Sequence, residues 1–126
     1  MTLKLLVVDD ENDVEILFRQ KLRKEIRSGE IELEFAFSGQ QALDILRSRT
    51  PPEVVYIFSD INMPGMTGLE LLNLVKKEFP NIKVSMISAY GDKENYDNAM
   101  QSGAKEFFLK PVNFDLLKKE IDDLLG

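Results

Sequence analysis

The sequence predicts an α/β fold, a doubly wound sheet of five parallel strands with helices on both faces. Three observations predict it. Short apolar runs alternate with segments of helical period along all 126 residues. Each run is short enough to be a parallel strand buried on both faces, where near-continuous apolar sequence replaces strict alternation. Three of the runs end in charge: Asp9, Asp10 and Glu11 close the first, Asp60 the third, and Lys110 the fifth.

Strands are expected at 3–8, 31–37, 54–59, 83–88 and 106–109. The first helix follows from Val14, Leu17, Phe18, Leu22 and Ile26 on one face and runs unusually long, up to Gly29. Its outer positions carry Arg19, Lys21, Arg23, Lys24 and Arg27, a solvated face or a further contact surface. Ala42, Leu43 and Leu46 mark the second helix, and Leu69, Leu72 and Val75, with Leu71 beside them, the third. Tyr96, Ala99 and Met100 mark the fourth, at about 92–102, which has few apolar anchors. Leu117, Ile121, Leu124 and Leu125 mark the fifth. The pattern is (βα)5 without repeats or linkers, one domain over residues 1–126. Right-handed crossovers place helices on both faces. The flavodoxin-like strand order 2-1-3-4-5 is carried over from known doubly wound sheets. In that order strands 1 and 3 are neighbours, so Asp9 and Asp10 face Asp60 across the rim where open α/β sheets build their sites.

Composition narrows the chemistry. A formal charge of −6 without a basic block gives no electrostatic footprint for nucleic acid or anionic lipid. Cysteine and histidine are both absent, which excludes disulfides, thiolate chemistry and the commonest side-chain base and transition-metal ligand. Hard oxygen ligands remain. No stretch approaches the roughly 20 apolar residues of a membrane span, and a cytoplasmic location is expected. Taken singly, each residue also has an ordinary reading: Asp9 to Glu11 as helix-start acids, Lys110 as a solvated strand end, Ser88 as a cap, Phe107 as core and Asn62 to Gly65 as a turn. Their joint placement at strand ends overturns those readings.

With Asp9, Asp10, Asp60, Ser88, Phe107, Lys110 and Pro111 in this order, and Asn62, Met63, Pro64 and Gly68 following Asp60, the chain resembles the CheY-like receiver domains of two-component response regulators over essentially its whole length. The resemblance implies that Asp60 is the phosphoacceptor, Ser88 a hydroxyl switch, Phe107 an aromatic switch and Lys110 the lysine of the site. It implies Mg²⁺, with Mn²⁺ as a substitute, held directly by Asp10 and Asp60, by the backbone carbonyl of Asn62, and by Asp9 through water. Such an ion also answers a physical problem, because two carboxylates about 4 Å apart repel by roughly 4 kcal/mol at an effective dielectric near 20. Carboxylate, carbonyl and water oxygens suit Mg²⁺.

Asp60 is then a nucleophile that forms an aspartyl phosphate. Lys110 offers a compact positive charge to a phosphate oxygen, and the Ser88 hydroxyl with the Ala89 N–H can donate to another. A sensor histidine kinase or a histidine phosphotransfer protein supplies the phosphoryl group. The chain is expected to be a regulator that catalyses its own phosphorylation and dephosphorylation, not an enzyme acting on other substrates. Its signal leaves through the face built by the fourth helix, the fifth strand and the fifth helix, toward an output protein or a tethered output domain. Tyr90, two residues after Ser88, is expected either at the rim, where a bulky ring obstructs water and prolongs the phosphorylated state, or as a solvent-facing loop residue without a kinetic role.

Two features depart from the common pattern. Phe107 has no hydroxyl to report its orientation, and Ser88 lacks the methyl of the more frequent Thr. Two rival functions are weaker. An aspartyl-phosphate phosphohydrolase generally carries a second Asp two residues after its nucleophile, and that position is Asn62. A docking module that is never phosphorylated has no need of the acidic pair, Asp60, Ser88, Phe107 and Lys110 together.

Overall fold

The computed structural model describes residues 2–49, 53–89 and 91–125. Tyr90 therefore lies outside the described residues, as does the side chain of Leu125. Five strands, β1 (Leu3–Val8), β2 (Ile31–Ala36), β3 (Val54–Asp60), β4 (Lys83–Ser88) and β5 (Phe107–Leu109), form one parallel sheet in the order β2-β1-β3-β4-β5. The predicted flavodoxin-like α/β arrangement is the observed one. Six helices connect and cover it: α1 (Asn12–Lys21), α2 (Arg23–Arg27), α3 (Gly39–Arg47), α4 (Gly68–Glu78), α5 (Lys93–Gln101) and α6 (Phe114–Leu125).

Side-chain alternation along the strands divides the interior into two layers. Leu6, Val8, Ile57 and Met86 point to one face and pack with Leu43, Leu46, Leu72, Val75 and Ala99 from α3, α4 and α5. Leu5, Val7, Tyr56 and Phe58 point to the other and pack with Phe18 of α1, Leu22 just after it, and Leu117 and Ile121 of α6. Phe58 sits between rings, with Tyr56 stacked 4.5 Å away and Phe108 at 6.1 Å.

Local chemistry starts the helices where they start. Ser38 accepts the Gln41 N–H at 3.0 Å, and Asp92 accepts the Asn95 N–H at 2.7 Å. Thr67 and Glu70 form a reciprocal capping box at 3.2 Å each way. Asn113 Oδ1 accepts from Asp115 and Leu116 at the start of α6.

The long first helix is a correction. It opens at Leu22, where φ is −102° and ψ is 16°, and resumes as α2. The bonds Leu22 N–H to Phe18 O and Ile26 N–H to Leu22 O persist across the break, so the apolar seam stays on the sheet. Periodicity cannot register a change of one ψ angle that leaves the seam in place. Leu17 is a second correction: Phe18 takes the core position and Leu17 is turned to the surface, 38% exposed. A stripe at four-residue spacing, Val14, Phe18, Leu22 and Ile26, is narrower than the predicted face. Because the last two helices are α5 and α6 in this count, the predicted signalling face is the α5–β5–α6 face.

Candidate functional site

Strand register brings the charged residues together. Val8 lies opposite Ser59 in the β1–β3 ladder, so Asp9 and Asp60, one residue further on each strand, are neighbours at the rim. Asp60 pairs with Ile87, and Ser88 with Leu109, which sets Ser88 and Lys110 at the same edge. The Lys110 N–H donates to the Ser88 carbonyl at 2.9 Å, fixing the end of β5.

Asp9 and Asp60 are buried, at 2% and 5% exposure, whereas Asp10 is exposed. One carboxylate oxygen from each of the three lies within 4.8 Å of the others. Lys110 Nζ stands 3.1 Å from Asp9 Oδ2 and 3.4 Å from Asp60 Oδ1. The other Asp9 oxygen accepts the Glu11 N–H at 2.9 Å, so Asp9 also orders the turn into α1.

One ammonium cannot balance three carboxylates. Burial, followed by the Asp9 charge, pushes the Asp60 carboxyl up to about 6 against the pull of Lys110. Burial also opposes the charge on Lys110, but the Asp9 and Asp60 carboxylates outweigh it and leave its pKa raised. A group of converging oxygen donors with an excess of negative charge, one of them held at the edge of ionisation, fits a hard dication such as Mg²⁺.

The segment after Asp60 is shaped by two glycines. Gly65 has φ of +75°, a left-handed conformation that follows Pro64 in the turn. Gly68 permits a close approach: a Cβ there would lie 2.0 Å from the Asp60 carbonyl oxygen. Its N–H donates to the Ile61 carbonyl at 2.8 Å, so α4 begins directly against the backbone of the predicted nucleophile. Gly68→Ala is expected to lower stability by about 3 kcal/mol through forced backbone displacement and to reduce phosphoryl labelling. Chemical denaturation and mass measurement check both.

Among the other predicted site residues, Ser88 is fully buried at the end of β4. Ala89 and Asn62 are exposed at the rim, and Phe107 is half-buried. Sequence reasoning missed Ser59, fully buried, whose hydroxyl donates to the Asp60 carbonyl at 3.0 Å. Its signal was a polar residue inside an apolar strand beside Asp60. The reason for Gly68 was also out of reach, since only the approach of α4 to β3 shows it.

Comparison with known proteins agrees with this geometry. The chemotaxis protein CheY homolog of Campylobacter jejuni is 31% identical over 126 residues, covering 98% of this chain and 93% of that protein. Sporulation initiation phosphotransferase F of Bacillus subtilis is 32% identical over 125 residues, covering 99% and 95%. A response regulator receiver domain protein from Clostridium thermocellum superposes with a TM-score of 0.84 at 28% identity, covering 96% of this chain and 92% of its own. The family model for the response regulator receiver domain matches residues 5–122. Five parallel strands in this order, an acidic cluster at their rim and that match have one meaning: the chain belongs to the receiver domains of response regulators, the signalling proteins of two-component systems.

Proposed function

We propose that residues 1–126 act as a receiver that takes a phosphoryl group from a phosphohistidine onto Asp60 in a Mg²⁺-dependent reaction, in the cytoplasm. The observation that carries this reading is the convergence of the Asp9, Asp10 and Asp60 carboxylates, with Lys110 within ion-pair distance of the buried Asp9 and Asp60. An Asp60 oxygen attacks phosphorus, the phosphorus–nitrogen bond to the donor imidazole breaks, and the imidazole leaves with the electron pair and takes up a proton. Asp10, Asp60 and the backbone carbonyl of Asn62 would hold the ion, with Asp9 acting through water, and Mn²⁺ would serve in place of Mg²⁺. When bound, the dication screens the carboxylate from the incoming phosphoryl oxygens. Lys110, Ser88 and the Ala89 N–H receive those oxygens.

The donor is a sensor histidine kinase or a histidine phosphotransfer protein, since this chain has no histidine. The phosphotransferase named among its relatives supports group transfer. Incubation with acetyl phosphate and Mg²⁺ tests the reading. It predicts a mass gain of one phosphoryl group that a chelator abolishes; no gain with Mg²⁺ or Mn²⁺ refutes it.

Output is assigned to the α5–β5–α6 face. Phe107 meets Tyr96 of α5 edge-on, with ring centroids 5.6 Å apart. Of α5's residues only Ala99 is buried, so little packing holds that helix, as suits a two-state element. Ser88 moving toward the phosphoryl group leaves room for the Phe107 ring to turn inward, and hydrolysis of the aspartyl phosphate resets the face. Beryllofluoride, standing in for the phosphoryl group, is expected to shift the amide resonances of α5 and β5, and Phe107→Ala to shrink those shifts. Equal shifts in wild type and Phe107→Ala exclude Phe107 from the switch.

A further inference from the structure

Tyr56 is fully buried in the middle of β3, where an apolar residue would be ordinary. Its hydroxyl touches Ser85 Oγ on β4 and lies 3.3 Å from Glu120 Oε2 on α6. The same Glu120 oxygen takes the Lys105 ammonium, and Ser85 Oγ accepts the Glu106 N–H at 3.1 Å. Donor and acceptor capacities leave one direction for the protons. A carboxylate only accepts, so Tyr56 donates to Glu120; Ser85 therefore donates to Tyr56 and is free to accept from Glu106. Burial holds the Tyr56 hydroxyl protonated, as this direction requires. The bonds run from the Glu106 N–H through Ser85 and Tyr56 to Glu120, and Lys105 closes the chain on the same oxygen.

The elements joined are those of the switch. β3 ends in Asp60 and β4 in Ser88, Glu106 immediately precedes Phe107, and α6 forms part of the output face. β5 has only three residues and one neighbouring strand; the backbone bonds Lys105 N–H to Val84 O and Met86 N–H to Glu106 O tie its start to β4, and the polar chain adds the tie to α6. We infer that this buried polar chain is the fixed anchor of β5 and α6, holding the Glu106 end still so that events at the Lys110 end move Phe107 and α6 together. The motion it transmits rests on the reading of Asp60 as phosphoacceptor; the anchoring itself does not.

Amide hydrogen exchange on the intact chain tests it, with Tyr56→Phe, which keeps the ring, and Glu120→Gln, which keeps the shape. Each is expected to speed exchange about tenfold in Lys105–Leu109 and α6 while leaving β1 and β2 within about twofold of wild type, as for a local opening. Phosphorylation by acetyl phosphate should survive in both, and the protection that beryllofluoride confers on α6 should be lost. Wild-type exchange in β5 and α6, or equal acceleration across the whole sheet, overturns the anchor. Local loosening with an intact beryllofluoride response overturns the transmission. If wild type itself takes no phosphoryl group, the reading of Asp60 fails, and the anchor is decided by exchange in the untreated protein.

Discussion

Asp60→Asn is expected to abolish phosphoryl labelling and, at neutral pH without divalent metal, to make the protein more stable. The second effect follows from the first site's own electrostatics. Ionising Asp60 in the fold is opposed by burial and by Asp9, which raises its pKa from 3.8 to about 6. Well below the unfolded value of 3.8 the carboxyl is protonated folded and unfolded alike. Between about 4 and 6 the folded state holds the extra proton, so stability falls as pH rises through this window. Above it the full penalty remains, about 3 kcal/mol for a shift of about two units. Asn removes the charge and keeps the shape. Denaturation of both proteins across pH is expected to show a gap near 3 kcal/mol at pH 7.5 that closes below pH 4. Added Mg²⁺ should narrow the gap from the wild-type side. A constant gap at all pH values contradicts this account of the pocket.

Lys110→Ala is expected to move stability the other way. Its ammonium is the cation within ion-pair distance of both Asp9 and Asp60, and its removal leaves three carboxylates facing one another. Breaking one partner from a fully buried pair costs about 3–5 kcal/mol, and partial solvent access at Lys110 brings the expected loss to about 2 kcal/mol at pH 7.5. The loss should shrink as the carboxylates are protonated. Mg²⁺ should rescue the variant more strongly than it stabilises wild type, because the ion supplies the missing charge, while labelling and the beryllofluoride response remain impaired. Thermal melts with and without Mg²⁺ check this, and a metal affinity reduced as much as in Asp60→Asn would contradict the division of roles.

The parts of this molecule that sequence reveals are those encoded by local pattern. Five apolar runs gave five strands to within a residue, and the acids and the lysine at their ends stand at one rim because parallel strands share a carboxyl edge. The opening at Leu22 and the outward turn of Leu17 lay beyond pattern, since both preserve helical periodicity. Long-range approach was equally hidden: Gly68 is required by a carbonyl eight residues earlier, and Tyr56 is satisfied by Ser85 and Glu120 on other elements. Known doubly wound sheets supplied the strand order and family resemblance the roles around Asp60, neither of which periodicity contains.

The central claim is that Asp60 accepts the phosphoryl group. Wild-type protein treated with acetyl phosphate and Mg²⁺, trapped by borohydride reduction of the acyl phosphate and digested for peptide mass analysis, tests it most directly. A single modified residue, Asp60, is expected, and no modification in Asp60→Asn. A reduced residue at Asp9 or Asp10, or labelling that persists in Asp60→Asn, would contradict it.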